Sequence, residues 1–528
     1  MSGPKSYRSW SPDQPYLMPP NPRDWLPEDH LARFVLELIR ELDLSAIERP
    51  IQSKDPRGER PYDPRMMMAL VVYGYCTGVM SSRRIERKTY EDVAFRYLAG
   101  GQHPEFSTIC TFRRTHLAAV EDLFRQVVRL AREAGLVKMG HVSLDGSKVD
   151  ANASKHKAMS YDRMLTDEQR LEAEIRDLLA RAEDQDQADD ARLGAGVPET
   201  DLPGELKRRE DRLARIRAAK AALEADARAT RAGQLREQAE RAREVAAASD
   251  DPAEKGRAHR RAERRDAAAV ALTAADGDEP SGSGTDPGTP GEPKPSNDAG
   301  PSITGAAPAG GTDEVRVSEL PVHRPKVTRD GAPQASAQRN FTDPDSRIME
   351  RGGQFTQAYN GHIAVDDEWH VIVGQGASNQ SPDTEYFVPM LERVQESVGQ
   401  LPEKATADAG FWSPENARWA EEHAVDAYIS TQRQRHGAPT SDPAEPPGPT
   451  ATPQQRMRHK VSTPKGRAIY RRRKCLPEPV FGQIKQAMGF RRFSMRGLEK
   501  ARGEWGLVCM CHNVRRLHAA RVAGRTPS

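Results

Sequence analysis

Two aspartates stand in the same small-residue setting. Asp145 lies in "VSLDGSKVDANAS" and Asp408 in "KATADAGFWS", each near the end of a short strand-like run. Small neighbours such as Gly146 and Gly410 let a metal ion and a phosphate come close to a carboxylate. Glu478, in "CLPEPVFGQIKQAMGFRRF", adds a third acid from a helix start. Three carboxylates in one site repel unless a cation lies among them, so a shared site predicts divalent metal. Hard oxygen ligands select Mg²⁺ or Mn²⁺. Two such ions, roughly 3.5–4 Å apart, clamp the attacking and leaving oxygens of a phosphoryl transfer. The chain has 77 acids, so spacing alone does not single out these three.

The setting of Glu478 does more. It is the only acid between Pro446 and Leu498. Tyr470, Arg473 and Lys474 precede it, Lys485 follows seven residues later, and Arg491 and Arg492 extend the cationic run. Seven residues are two helical turns, so the spacing places Glu478 and Lys485 on one face. A carboxylate that holds metal beside cations that hold phosphate is the pairing a DNA-cutting site needs. The plain alternative is a surface ion pair on an ordinary helix.

Stepping outward, residues 454–528 carry nineteen Lys or Arg against three acids, although the whole chain of 528 residues has a net charge of only +2. A basic end interleaved with Tyr470, Phe481, Phe490, Phe493 and Trp505 predicts a folded nucleic-acid surface, not a solvated tail. Charged residues at 30%, aromatics at 6% and a mean hydropathy of −0.76 are too polar for one compact globule. No run is long and apolar enough for a bilayer span, and the first thirty residues lack a signal-like apolar stretch, so a cytoplasmic protein with no membrane partner is expected. Five scattered cysteines do not make a disulfide framework. Cys509, Cys511 and His512 lack a second ligand pair at the spacing of a structural metal.

The elements follow from periodicity. Apolar positions in 29–47 predict an amphipathic helix capped by Asp29. Further helices are expected over 64–80, 81–100 and 106–135, with Arg83, Arg84, Arg113 and Arg114 as candidates for a helix-turn-helix-like DNA reader. Residues 159–276 show heptad spacing, with Met164, Leu171 and Leu178 seven apart, Leu206 and Leu213 likewise, and Ile216 and Leu223 in the alternate seam position, which predicts a helical hairpin or short coiled coil. Residues 277–338 read as a disordered low-complexity linker, and 437–454 as a Pro-rich loop. The order from 339 onward, a hairpin and then alternating helices and strands, predicts a mixed α/β sheet flanked by helices. The expected domains are a helical one over 1–137 and an α/β one assembled from 138–158, 339–436 and 455–528.

Several stretches together resemble a known family: "PEFSTICTFRRTHL", "VSLDGSKVDANAS", "NFTDPDSRIM", "YNGHIAVD", "ADAGF" and "EPVFGQIKQAMGFRRFSMRGLEKARGEWGLVCMCHNVRRL". The chain is similar to bacterial insertion-sequence transposases of the DDE type, in the InsH-like branch. The resemblance implies an all-α N-terminal domain and an RNase H-like catalytic domain. By position, Asp145, Asp408 and Glu478 match the family's metal-holding acids, and Tyr470, Arg473, Glu478 and Lys485 its Tyr-Arg-Glu-Lys signature. Arg473 and Glu478 are one residue further apart than in that signature, so Arg473 and Lys474 both stand for its arginine. The resemblance further implies DNA strand cleavage and transfer with two Mg²⁺ or Mn²⁺ ions, double-stranded DNA as partner (terminal inverted repeats and target), and a homodimer when two ends are synapsed. A catalytically inactive DNA-binding descendant is the alternative.

Overall fold

The computed structural model describes residues 21–53, 60–193, 202–274, 319–432, 446–448 and 450–524. The chain divides into two compact units, one of Met1–Lys155, Ser318–His323 and Thr342–Ser528, the other of His156–Val317 and Arg324–Phe341. Among the described residues no helix is long and apolar enough to cross a membrane.

The first unit opens with helices α1 (Leu31–Glu41) and α2 (Ser45–Gln52), so the run expected as one helix is broken at Leu42–Leu44. The cap is His30, whose ring nitrogen accepts from the Ala32 amide at 3.1 Å, and not Asp29. Helix α3 (Pro64–Cys76) is buried at every position from Met66 onward, as a core helix must be. The next expected helix is two, α4 (Ser82–Glu91) and α5 (Val93–Leu98), because Asp92 ends one and accepts the first free amides of the other. Likewise 106–135 is α6 (Phe106–Thr115) and α7 (Val120–Glu133), closed by Gly135 at φ 74°. Strand β1 (Val142–Asp150) follows.

The second unit holds β2 (Ala158–Ser160), α8 (Tyr161–Leu193), α9 (Leu202–Ala248), α10 (Pro252–Ala274) and β3 (Gln338–Asn340), with β2 and β3 antiparallel. Met164 and Leu171 of α8 meet Leu213 and Ile216 of α9, as the heptads predict. A second seam, α9 on α10, is built from Ala232, Ala239, Ala242, Ala262 and Ala269, small side chains that a leucine-based reading passes over. Of the expected linker, 277–318 lies outside the described residues. The part from Glu319 is not a featureless linker: Leu320 is buried in the first unit against Gly376, and Val327 bridges Pro333. Most of the Pro-rich loop also lies outside the described residues.

The first unit resumes with β4 (Arg347–Arg351), β5 (Gln354–Asp366), β6 (Ile372–Ser378), α11 (Phe387–Val398), β7 (Lys404–Ala407), α12 (Pro414–Glu422) and β8 (Asp426–Ile429). Helices α13 (Pro453–Ser462), α14 (Pro464–Cys475), α15 (Pro477–Gly482) and α16 (Leu498–Val522) complete it. The sheet runs β6-β5-β1-β7-β8, with β4 beside the first half of β5. Strand β5 is antiparallel to β1 and β6, whereas β1, β7 and β8 are parallel. This is the RNase H-like arrangement, a mixed sheet flanked by helices.

Helix α16 is its keystone. Trp505 lies on β5 at Gly361, where a Cβ would stand 2.8 Å from the indole, and its N–H donates to the His362 carbonyl at 3.1 Å. Asn513 both donates to and accepts from the Ile372 backbone, each at 2.8 Å. Asp345 accepts the Leu498 amide at 2.9 Å and so caps the helix, which explains "DPDS". Glu504, fully buried, accepts from the Tyr75 hydroxyl at 2.8 Å and the Ser494 amide at 2.9 Å. Helix α3 therefore shares a core with α16, and the boundary expected at 137/138 is not a break in packing. Cys76, Cys509 and Cys511 are buried free thiols in this core, and His512 is bonded to the His370 carbonyl at 3.0 Å.

Candidate active site

The strand ladder brings two of the three acids together. Val142 and Ser143 of β1 pair in parallel with Ala405 and Thr406 of β7. Two residues on, Asp145 continues along β1, and Asp408 follows the last residue of β7 as the cap of a short 3₁₀ turn, close enough to act on the Asp145 carboxyl. Each carboxylate is turned by a following small residue: Gly146 N–H donates to Asp145 Oδ1 at 2.9 Å, and Gly410 N–H to Asp408 Oδ1 at 2.7 Å. On its other edge β1 pairs with β5, with Gly146 opposite His362 and Lys148 opposite Asn360.

Helices α14 and α15 lie over these strands. Arg473 brings Nη1 to 3.8 Å from Asp145 Oδ2, and its guanidinium stands 5.7 Å from the Tyr470 ring centroid. Lys474 is exposed. Of the two residues left open by the signature's spacing, Arg473 is thus the one turned to the carboxylates. Beyond α15 the chain widens into a π-helical turn, Gln483–Ala487, from which Lys485 donates to the Ser147 hydroxyl. Arg491 is exposed and bonded to the Lys485 carbonyl at 3.2 Å, and exposed Arg492 bridges Asp150.

Glu478 does not join the two aspartates. It is exposed in the first turn of α15, which buries Pro477, Val480 and Phe481 instead, and it makes no hydrogen bond or ion pair among the described residues. The wide π turn between it and Lys485 also breaks the two-turn spacing that an uninterrupted α-helix would give them. Arg113 departs from expectation too. It is buried, donating to the Tyr75 hydroxyl at 3.0 Å and the Met80 carbonyl at 2.8 Å, so it braces the core, while Arg83, Arg84 and Arg114 are exposed.

Electrostatics mark Asp145 as the strained member. Burial pushes its carboxyl up to about 7; Arg473 opposes the rise, and Asp408 and Asp383 add to it. Burial also lowers Lys485 and raises Tyr470 from their ordinary values. A carboxylate held against other carboxylates, with glycines leaving the approach open, fits a hard divalent cation. Asp145 and Asp408 would hold it, although among the described residues no three His, Cys, Asp or Glu side chains are gathered tightly enough to enclose one.

Four residues here escaped the sequence reading: Lys148, Asn360, His362 and Asp383. Lys148 reaches the Ser381 carbonyl at 3.1 Å and Asp383 at 3.7 Å, and Asn360 donates to Asp383 Oδ1 at 2.7 Å. His362 is fully buried, stacked on Tyr386 at 4.1 Å, and burial drops its pKa to about 3. "YNGHIAVD" carried a signal in its polar Asn and His within an otherwise apolar strand; nothing in "NQSPDTEY" marked Asp383.

The mixed sheet, with Asp145 on β1 and Asp408 just past β7, defines the class as an RNase H-like α/β fold. Family comparison narrows it: the model of the transposase DDE domain matches residues 319–514, and that of a transposase domain (DUF772) matches residues 20–115. The chain belongs to the insertion-sequence DDE transposases. Asp145 lies outside both segments, and it is the β1 pairing with β5 and β7 that ties it to the matched region. No curated protein and no solved structure matches the chain significantly.

Proposed function

We propose that this transposase binds the terminal inverted repeats of its own element, then cuts and rejoins DNA strands with two Mg²⁺ or Mn²⁺ ions held by Asp145, Asp408 and Glu478. The observation that supports this reading is the nearness of Asp145, on β1, to Asp408, just beyond the end of the parallel strand β7, with Arg473 at 3.8 Å from Asp145. Bound divalent metal would supply Lewis-acid activation of the attacking oxygen and charge relief at the leaving one. Arg473, Tyr470 and Lys485 hold the end phosphates near the carboxylates. Lys474, Arg491 and Arg492, exposed beside them, fix the register of the duplex without reading bases. Base reading falls to the N-terminal helices, where Arg83, Arg84 and Arg114 are exposed. Two ends held together make the working form a homodimer.

The test is Mg²⁺- or Mn²⁺-dependent nicking of a labelled duplex taken from inverted repeats flanking the gene. Wild type should nick at the repeat end, and Asp145→Asn, Asp408→Asn and Glu478→Gln should not. Variants that cut as well as wild type would overturn the assignment. The exposed position of Glu478 favours one rival, a DNA-binding derivative without cleavage. Salt-sensitive duplex binding with no metal-dependent nicking by wild type would establish it.

A further inference from the structure

The helical second unit carries its cations in two arrangements. Where α9 lies along α8 they are neutralised within the unit: Arg170 pairs with Asp167 and Glu174, Arg217 with Glu168 and Glu172, and Arg212 with Asp167. On α10 the pattern changes. Arg257, Arg260, Arg261 and Arg264 follow one another at i, i+3, i+4 and i+7, and all four are exposed. That spacing puts them on one face of the helix. The side chains that seat α10 on α9, Ala258, Ala262 and Ala269, lie round its other side, where Arg265 is tied down by donating to the Gln238 carbonyl at 2.9 Å.

Acids do not neutralise the exposed face. Arg257 stands 3.7 Å from Asp251 at the α9–α10 turn, but Arg260, Arg261 and Arg264 make no ion pair among the described residues. Of the acids on the same helix, Asp266 is held by Arg243 of α9 and Glu254 accepts from the Ser249 hydroxyl at 2.6 Å, while exposed Glu263 pairs with none of the four. Like charges three and four residues apart on a helix repel, and here Arg257 and Arg264 each stand at such a spacing from both Arg260 and Arg261. The seam beneath is mostly alanine, which offers little apolar area to offset that repulsion. A row of this kind is relieved by a polyanion. Guanidinium groups are always charged and grip phosphate through two parallel N–H bonds. The ridge from Arg257 to Arg264 is about 10 Å long, the rise of about three nucleotides of one DNA strand.

We propose that this arginine face of α10 is a further DNA-contact surface, which holds the phosphate backbone of double-stranded DNA without reading its sequence. The proposal rests on the DNA-binding part of the reading above. It adds a contact in the second unit, on a helix outside both segments that the family models match. Each phosphate held in this way releases bound counterions, so the contact has a signature in the salt dependence of binding.

The experiment is binding of the full-length protein, without divalent metal, to a labelled duplex from the inverted repeats flanking the gene and to a scrambled duplex of equal length. Fluorescence anisotropy gives the affinity between about 50 and 200 mM KCl. Replacing Arg260, Arg261 and Arg264 together by Ala should lower the slope of log affinity against log salt by about 0.9 per lost phosphate contact, about 2–3 in all. The loss of affinity at low salt should be about tenfold or more and equal for the two duplexes. Each single variant should take about a third of the change in slope. Alanine favours helix, so these variants keep the arm. A control with Arg170→Ala, Arg212→Ala and Arg217→Ala removes the same charge from the neutralised face and should keep the wild-type slope. A wild-type slope in the α10 triple variant, an equal drop in both triple variants, or no salt-dependent duplex binding by wild type overturns the proposal. If wild type nicks repeat ends while the α10 variant keeps the full slope, the transposition reading stands and this one fails. If the slope depends on α10 but no metal-dependent nicking is found, the reverse holds.

Discussion

The strand ends and the helices above them are held by different physics. Asp145 and Asp408 follow closely on a parallel backbone ladder between β1 and β7, and each is turned by a neighbouring amide. Tyr470, Arg473, Glu478 and Lys485 ride on two short helices and a π turn, positioned by side-chain packing and reach. The ladder gives pairs of residues a fixed relation. The helices deliver Arg473 to Asp145 and Lys485 to the Ser147 hydroxyl but leave Glu478 in solvent. Sites of this kind divide into a rigid floor and an adaptable roof, and the roof is where ligand binding has freedom to act.

Substitutions in floor and roof should therefore behave differently. The largest effect is expected in the floor: Asp145→Asn and Asp408→Asn should each lower metal-dependent nicking by about a thousandfold or more and also weaken Mn²⁺ binding. Glu478→Gln should lower nicking comparably but leave Mn²⁺ binding to the free protein intact; equal loss of Mn²⁺ binding would erase the distinction. Next comes the roof's cation: Arg473→Ala should cost about a hundredfold in nicking, measured at saturating duplex.

Two stability measurements probe the floor itself. Gly361→Ala drives a methyl against the Trp505 indole and should destabilise the first unit by about 1–3 kcal/mol in urea unfolding. Acid should do the same through buried histidines. Burial holds His141, His362 and His512 down to about 4, 3 and 4, so below their ordinary 6.5 the unfolded chain binds more protons and stability falls with pH. Asp145 works in the opposite sense, since its raised pKa means stability is gained as pH drops from 7 towards 3.8. A tenfold difference in proton affinity is worth about 1.4 kcal/mol, so three histidines against one aspartate leave a net loss of about 2 kcal/mol between about pH 6.5 and 5.5. A thermal midpoint that rises over that interval would contradict the burial of these rings. The smallest effect is assigned to Lys474→Ala, exposed in the roof, which should change nicking by less than about threefold.

What the sequence made legible follows the same division. The strand-end setting of Asp145 and Asp408 left local marks in their glycines, but among 77 acids it was the resemblance of the surrounding stretches to a family that picked them out. The mixed sheet and the leucine seam of α8 and α9 were legible from a periodicity written along the chain. The Glu478–Lys485 relation failed because a π turn depends on packing that no period announces. Asp383 was invisible because its partners, Asn360, Lys148 and Gly410, are near it only after the sheet has formed. Asp92 left no mark in the sequence, where 81–100 reads as one helix; it acts as a cap only because the chain turns there.

The placement of β1 has a consequence for synthesis. Roughly 200 residues separate it from β5, its antiparallel neighbour, and the helical second unit is translated in between. At about 5–20 residues per second, the strand bearing Asp145 leaves the ribosome tens of seconds before the strands that complete its sheet. Helix α16, on which the β5–β6 face closes, comes later still. A nascent or prematurely stopped chain therefore carries one aspartate with nothing beside it, and DNA-cutting capacity arises only after nearly the whole message has been read.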